Sequence, residues 1–278
     1  MALTGARVPI VWVDAFSDGP FTGNPAAVCL LERPATEKAM QSLAFEIGLS
    51  ETAFVWPEHD GFGLRWFTPA AEVSICGHAT VATAHALAEA GRLRGEQARF
   101  STKSGWLEAT LRGDEVEIEL PSEDSSAADV PAPLAARWPV VRAATARSDL
   151  LVELESERAV RELDPAGVEL ASLPHRGIAV TARADSSGDV GADYVLRFFA
   201  PRVGVPEDPV TGSAQCYLGP YWAAALGSTE LRAVQLSPRG GVLRVRTGET
   251  RVRVAGRAST VLRGEVVGEA ARRLVGEA

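Results

Sequence analysis

Cysteine is scarce. The 278 residues hold three, Cys29, Cys76 and Cys216, and no C-x-x-C pair. An odd set of scattered thiols excludes a disulfide framework and fits a reducing compartment. Basic residues are outnumbered, and the net charge of −8 excludes a nucleic-acid backbone as partner, which needs a basic face. It also excludes an anionic membrane surface. No apolar run approaches the ~20 residues of a membrane-spanning helix. The run "VPIVWV" at 8–13 stops at Asp14, too short for a signal peptide, so the expected location is the cytoplasm. His59, His85 and His175 lack metal-ligand spacing, and no H-E-x-x-H is present. "VTGSA" around Ser213 lacks the Gly-x-Ser-x-Gly elbow of a serine hydrolase.

What is abundant is apolar residues, 46% against 23% charged, enough to bury one large or two ordinary cores. "VPIVWVDAF" and "AAVCLL" flank the turn cluster "SDGPFTGNP" and read as strands. "ATEKAMQSLAFEIG" places Met40, Leu43, Ala44 and Ile47 at helical spacing, with Thr36 as N-cap and Gly48 as stop. "GHATVATAHALAEAG" is an Ala-rich helix ending at Gly91. "PSEDSSAADVPAPLAA" (121–136) has no periodicity and is the linker candidate. Strand-like runs well outnumber helical ones, and no parallel β-α-β alternation is visible. The expectation is an α+β fold of antiparallel or mixed sheets wrapped on a few helices.

Two segments match. "LRWFTPAAEVSICGHATVA" (64–82) and "LRFFAPRVGVPEDPVTGSAQC" (196–216) both open Leu-Arg-aromatic-Phe-x-Pro and reach Gly-x-Ala before an apolar helix. The separation is 132 residues at the leucine and 135 at the glycine. Self-similarity at half the chain length implies two related domains. Each half then has a helix beginning at a glycine, Gly77 or Gly212. A helix start offers unpaired N–H groups and the positive end of its dipole to an anion.

Several polar residues stand near these helix starts. Cys76, Gly77 and His78 open the first, and Thr211, Gly212 and Ser213 hold the matching places in the second. Asp208 precedes Thr211 by three; it is either a turn residue ahead of Pro209 or the lip of an anion site. His78 at a helix N-terminus has its imidazolium disfavoured and suits a neutral role. Cys76 reads as a small buried hydrophobe or as a thiol activated by the helix start. Glu51, in "GLSETAFV", is either a solvated loop acid or, among apolar neighbours, a carboxyl of raised pKa fit for acid–base work.

"GLSETAFV", "RWFTPAAEVSICGHATVA" and "EDPVTGSA", with "GNPAAVCLL" ahead of them, resemble the PhzF-like proteins of phenazine biosynthesis, in the fold group of diaminopimelate epimerase and proline racemase. The likeness spans about residues 8–265. It implies two pseudo-symmetric domains, each a mixed β-barrel-like sheet around a central helix, with the active site between them. The domains are expected at 1–122, with 262–278 packing on it, and at 123–261. The resemblance implies an isomerase that moves a proton within a small unsaturated carboxylic or amino acid, without metal or cofactor, as a homodimer. Glu51 would be the acid/base, with His78 and Asp208 positioning substrate and assisting proton movement. Gly77, His78, Gly212 and Ser213 would hold a substrate carboxylate through their N–H groups. Racemases of the group use two thiols, but here Thr211 stands opposite Cys76, which excludes a two-thiol mechanism. A single-thiol epimerase built on Cys76 and a non-catalytic binder of small acids are the alternative readings. "QLSPRGG" (235–241) follows the family only loosely. Arg239 within it is open to meeting a second acidic group or to standing exposed in a turn, and Glu207 is expected in solvent.

Overall fold

The Thr36 hydroxyl accepts the N–H of Ala39, and Gly48 turns left-handed at φ 69°, so the helix between them starts and stops where its sequence signals stand. It is one of six in the computed structural model, which describes residues 5–185 and 191–277. In chain order the strands are β1 (Arg7–Ala15), β2 (Asn24–Leu30), β3 (Glu51–Glu58), β4 (Gly61–Phe67), β5 (Glu72–Val73), β6 (Gln97–Thr102), β7 (Gly105–Arg112), β8 (Glu115–Pro121) and β9 (Ser126–Ala128). They continue with β10 (Val140–Ala146), β11 (Asp149–Leu154), β12 (Ile178–Arg183), β13 (Tyr194–Ala200), β14 (Val205–Asp208), β15 (Glu230–Gln235), β16 (Gly241–Thr247) and β17 (Arg251–Val267). The helices are α1 (Glu37–Ile47), α2 (Gly77–Glu89), α3 (Ala132–Ala135), α4 (Glu157–Arg161), α5 (Gln215–Leu226) and α6 (Gly268–Val275). Among the described residues, no helix is long and apolar enough to cross a membrane.

The chain divides into two units. The first takes the described residues up to Phe21, then Pro25–Glu119, then those from Gly256 onward; the second takes Thr22–Asn24 and Leu120–Ala255. In the first unit β2 pairs with β1 and runs parallel to β3. Next, β3 is antiparallel to β4, which is antiparallel to β5 and parallel to β6. The run continues antiparallel through β7 to β8, and β17 pairs with both β8 and β1, closing a ring of strands. Inside it packs α2, against β1, β3 and β7. That helix is buried almost all round, with Ala79, Val81, Ala82 and Ala84 fully covered, as a central helix must be. A second apolar layer, with Met40, Phe54, Phe67 and Leu274, seats α1 and α6.

The second unit repeats the order. β10 is antiparallel to β11, β11 parallel to β12, and β12 antiparallel to β13. Then β13 is antiparallel to β14 and parallel to β15, which leads antiparallel through β16 to β17. Here α5 packs on β15 and β16. Pro220 inside α5 has no N–H for the Cys216 carbonyl, and the N–H of Glu123 takes that acceptor at 2.9 Å.

Two expectations need correction. Parallel β-α-β units are present, at β2-α1-β3 and β11-α4-β12. They are hidden in the sequence because the two β-α-β units stand apart from each other along a chain of mostly antiparallel strands and α4 has only five residues. The stretch 121–136 is also more than a linker, since Ser126–Ala128 pairs with β10; small residues serve there as an exposed edge strand.

The shared motif has a shared job. Arg65 donates through Nε and Nη2 to both oxygens of Glu72, at 2.6 and 2.5 Å, and lies 5.1 Å over the Phe67 ring. Arg197 does the same to Glu207, at 2.7 and 2.8 Å, and lies 5.2 Å over Phe199. Glu207 is therefore paired and partly buried, not solvated, because the matching arginine reaches it.

Gly63 faces Trp56 across the β3–β4 ladder, and a Cβ on it would stand 2.1 Å from the indole ring. Gly63→Ala is expected to lower stability by ~1–3 kcal/mol, the usual cost of overpacking. Urea unfolding followed by Trp fluorescence measures it, and an unchanged midpoint would contradict the packing described.

Candidate functional site

Glu51 is the first residue of β3, set there by the Gly48 stop and the parallel register Ala26↔Glu51. Cys76 caps α2 in extended conformation at φ −149°, and Gly77 and His78 form its first turn. The fold brings these residues together. His78 Nε2 lies 3.1 Å from Glu51 Oε2. Its Nδ1 lies 3.6 Å from Cys76 Sγ, with Nε2 at 4.0 Å. His78 and Cys76 are buried, and the Glu51 side chain keeps 17% exposure.

The contact decides the ionisation. Burial pushes the Glu51 carboxyl up, but the charge and hydrogen bond of His78 and a hydrogen bond from Ser50 together outweigh it and leave the pKa below its ordinary value. Burial pushes the His78 imidazolium down, yet the Cys76 sulfur and the Glu51 carboxylate beside it hold its pKa well above the usual histidine range. Burial and then Glu51 push the Cys76 thiol up, against the opposing pull of His78. The expected raised Glu51 and neutral His78 are thus both reversed. The sequence argument weighed burial for one and the helix dipole for the other, and neither includes the partner 27 positions away.

Asp208, Gly212 and Ser213 belong to the second unit. Asp208 ends β14 with both carboxylate oxygens engaged. Asn24 Nδ2 donates to Oδ1 at 2.8 Å, and Thr211 Oγ1 donates to Oδ2 at 2.5 Å. Gln235 completes the frame, accepting the Thr211 N–H at 2.8 Å and donating to the Asp208 carbonyl at 2.7 Å. The helix begins later than expected, at Gln215, because Gly212–Ala214 forms a tight turn. The N–H groups of Gln215 and Cys216 bond back to the carbonyls of Gly212 and Ser213, three residues earlier. Gly212 and Ser213 thus precede α5. The amides of Gly77 and His78, in the first turn of α2, have no carbonyl of their own helix to bond. Arg239 turns to the chain, donating through Nε to the Gly23 carbonyl at 2.8 Å.

Asn24, Gln235 and Ser50 were not singled out by sequence. Asn24 had one signal, its place in "GNP", where it read as a turn residue. It is fully buried and also donates to the Val210 carbonyl at 2.8 Å.

A barrel-like sheet around a central helix, twice over, defines the class shared by epimerases, racemases and PhzF proteins. The family described as phenazine biosynthesis-like protein (PhzC–PhzF) matches residues 13–264. An uncharacterised isomerase of Halalkalibacterium halodurans is 45% identical over 93% of this chain and 98% of its own length. Phenazine biosynthesis-like domain-containing protein 2 of Mus musculus is 38% identical, over 93% and 98%. The crystal structure of a PhzF-family protein of Enterococcus faecalis superposes with a TM-score of 0.89 at 38% identity, covering 94% of this chain and 99% of that one. A hydroxyproline epimerase of Agrobacterium vitis, at 12% identity and TM-score 0.63 over 96% and 94%, shares the fold. The chain belongs to the phenazine biosynthesis-like, or PhzF, family, and its enzyme class is isomerase.

Asn24→Ala removes a buried donor from Asp208 and from Val210, and is expected to cost ~1–3 kcal/mol. Asn24→Asp sets one carboxylate against another and is expected to cost more. Urea unfolding compares the three proteins; equal midpoints would remove Asn24 from this frame.

Proposed function

We propose that this isomerase moves a proton within a small unsaturated carboxylic or amino acid, and that Glu51 carries the proton. The observation that carries the reading is the Glu51–His78 contact of 3.1 Å at the start of a buried central helix. A carboxylate set against an imidazole has a base and a proton-holding neighbour in one place. Taking a proton from carbon adjacent to a conjugated system, and returning it further along, needs one such group and no change of face. His78 stabilises the Glu51 anion and holds charge while the substrate is deprotonated. The first-turn amides at Gly77 and His78 are donors of the kind that bind a substrate carboxylate. The resemblance gives Gly212 and Ser213 the same task and assigns Asp208 to positioning substrate. The acidic chain with three free thiols suits a reducing cytoplasm, and the resemblance implies a homodimer.

A second reading has one observation in its favour. Cys76 Sγ sits 3.6 Å from His78 Nδ1, a thiol–imidazole contact that suits a single-thiol epimerase.

Purified protein incubated in deuterium oxide with a panel of cyclic and unsaturated carboxylic and amino acids tests both. The proposal expects deuterium at a carbon other than the one deprotonated, with the double bond moved. Glu51→Gln should lower turnover by at least ~100-fold, the low end for a lost acid–base group, and still bind the ligand. Full turnover in that variant rejects Glu51 as carrier. Cys76→Ala separates the readings: an epimerase loses inversion at the α-carbon, while the isomerase keeps its double-bond shift.

A further inference from the structure

Glu51, Cys76 and His78 offer a carboxylate oxygen, a thiol sulfur and an imidazole nitrogen, and these ligand atoms all lie within 4.8 Å of one another. Among the described residues no other three such donors assemble this way. We propose that the trio is a binding site for a zinc-class divalent cation, and that its occupation blocks the isomerase.

The donor set selects the ion. Sulfur, nitrogen and oxygen together are the ligands of Zn2+ and its neighbours, whereas Mg2+ and Ca2+ require a shell of oxygens that one carboxylate cannot supply. Spacing agrees as well. Bonds of about 2.3 Å to sulfur, about 2.0–2.1 Å to nitrogen and about 2.0–2.2 Å to oxygen, at tetrahedral angles, set S···N near ~3.5 Å and N···O near ~3.3 Å. An ion on Nε2 would have its nitrogen 4.0 Å from Sγ and 3.1 Å from Oε2, with all the donor atoms within 4.8 Å of one another. The sulfur must close by about 0.5 Å on Nε2 to reach tetrahedral spacing, a movement the Cys76 side chain makes by turning about its Cα–Cβ bond. Cys76 and His78 are fixed by the first turn of α2 and Glu51 by the first position of β3, so the donors are held before the ion arrives. Three protein ligands leave a fourth position open.

Binding releases the Cys76 thiol proton and the proton on the ligating His78 nitrogen to solvent, and ties up the Glu51 oxygen that would take a proton from substrate. This blocking effect rests on the role given to Glu51 above; the binding does not.

The test uses the whole chain, stripped with chelator, and needs no substrate for its first part. Co2+ should bind one-to-one with a thiolate-to-cobalt band in the near ultraviolet and tetrahedral d–d bands in the visible, and Zn2+ should displace it. Cys76→Ala should abolish the thiolate band. It should also weaken Zn2+, measured by equilibrium dialysis, by more than the roughly 10–100-fold that loss of an outer-shell partner costs. His78→Asn should weaken it likewise, should the first variant fold poorly. Cys29→Ala should change nothing, since Cys29 is fully buried and outside the trio. No stoichiometric binding, or a thiolate band that survives Cys76→Ala, overturns the site. With a turned-over substrate in hand, Zn2+ should inhibit and chelator should restore. One-to-one binding without inhibition overturns the blocking claim, whereas Glu51→Gln at full turnover overturns the functional reading alone.

Discussion

Each half of this protein depends on one arginine that does two things at once. Its guanidinium forks onto a glutamate of the short strand β5 or β14 and sits 5.1 or 5.2 Å over the ring of a phenylalanine of β4 or β13. The short strand is the last stop before the functional residues. In one unit Glu72 is held four residues ahead of Cys76, and in the other Glu207 stands next to Asp208. A two-residue strand such as β5 has too few ladder bonds to hold itself. A bidentate, partly buried ion pair supplies a fixed geometry instead. Arg197 is 8% exposed and also donates to the Leu163 carbonyl at 2.6 Å. Cutting such a buried pair strands a charge, which is far more damaging than the loss of a surface bridge. The arginine therefore fixes the short strand from which the next turn begins.

Conserving the clamp has left the two turns free to differ. One runs straight into helix with Cys76 as cap. The other inserts a three-residue turn and starts its helix at Gln215, whose side chain bonds back to the Thr211 carbonyl at 3.2 Å and accepts from the buried Tyr194 hydroxyl. The same scaffold thus carries a Glu–His–Cys cluster in one unit and a hydrogen-bonded frame around Asp208 in the other.

Much of this was legible in the chain. The Thr36 and Gly48 signals set α1, and the Leu-Arg-aromatic-Phe-x-Pro repeat announced two related halves. Glu51, His78 and Asp208 were named from motifs. What the chain concealed shares a physical cause: it depends on contacts between distant positions. The ionisation of Glu51 and His78 follows from their meeting. Asn24 belongs with residues beyond 200 because Thr22–Asn24 joins the second unit, where the Gly23 N–H bonds the Gly240 carbonyl at 2.7 Å. Glu207 looked solvated because a glutamate between two prolines carries no sign of an arginine ten residues upstream. The parallel pairs escaped because periodicity reports which face of a strand is buried and not which strand lies beside it.

The two carboxylates differ in the groups that face them. Asp208 receives one hydrogen bond on each oxygen from an amide and a hydroxyl, donors that do not change charge near neutrality. Glu51 faces an imidazole, whose pKa the Cys76 sulfur and the Glu51 carboxylate hold well above the usual histidine range. The charge and hydrogen bond of His78 in turn hold the Glu51 carboxyl below its ordinary pKa. Matching halves of one fold thus set one acid against an amide and a hydroxyl and the other against an imidazole, and the proposal that Glu51 carries the proton rests on that difference.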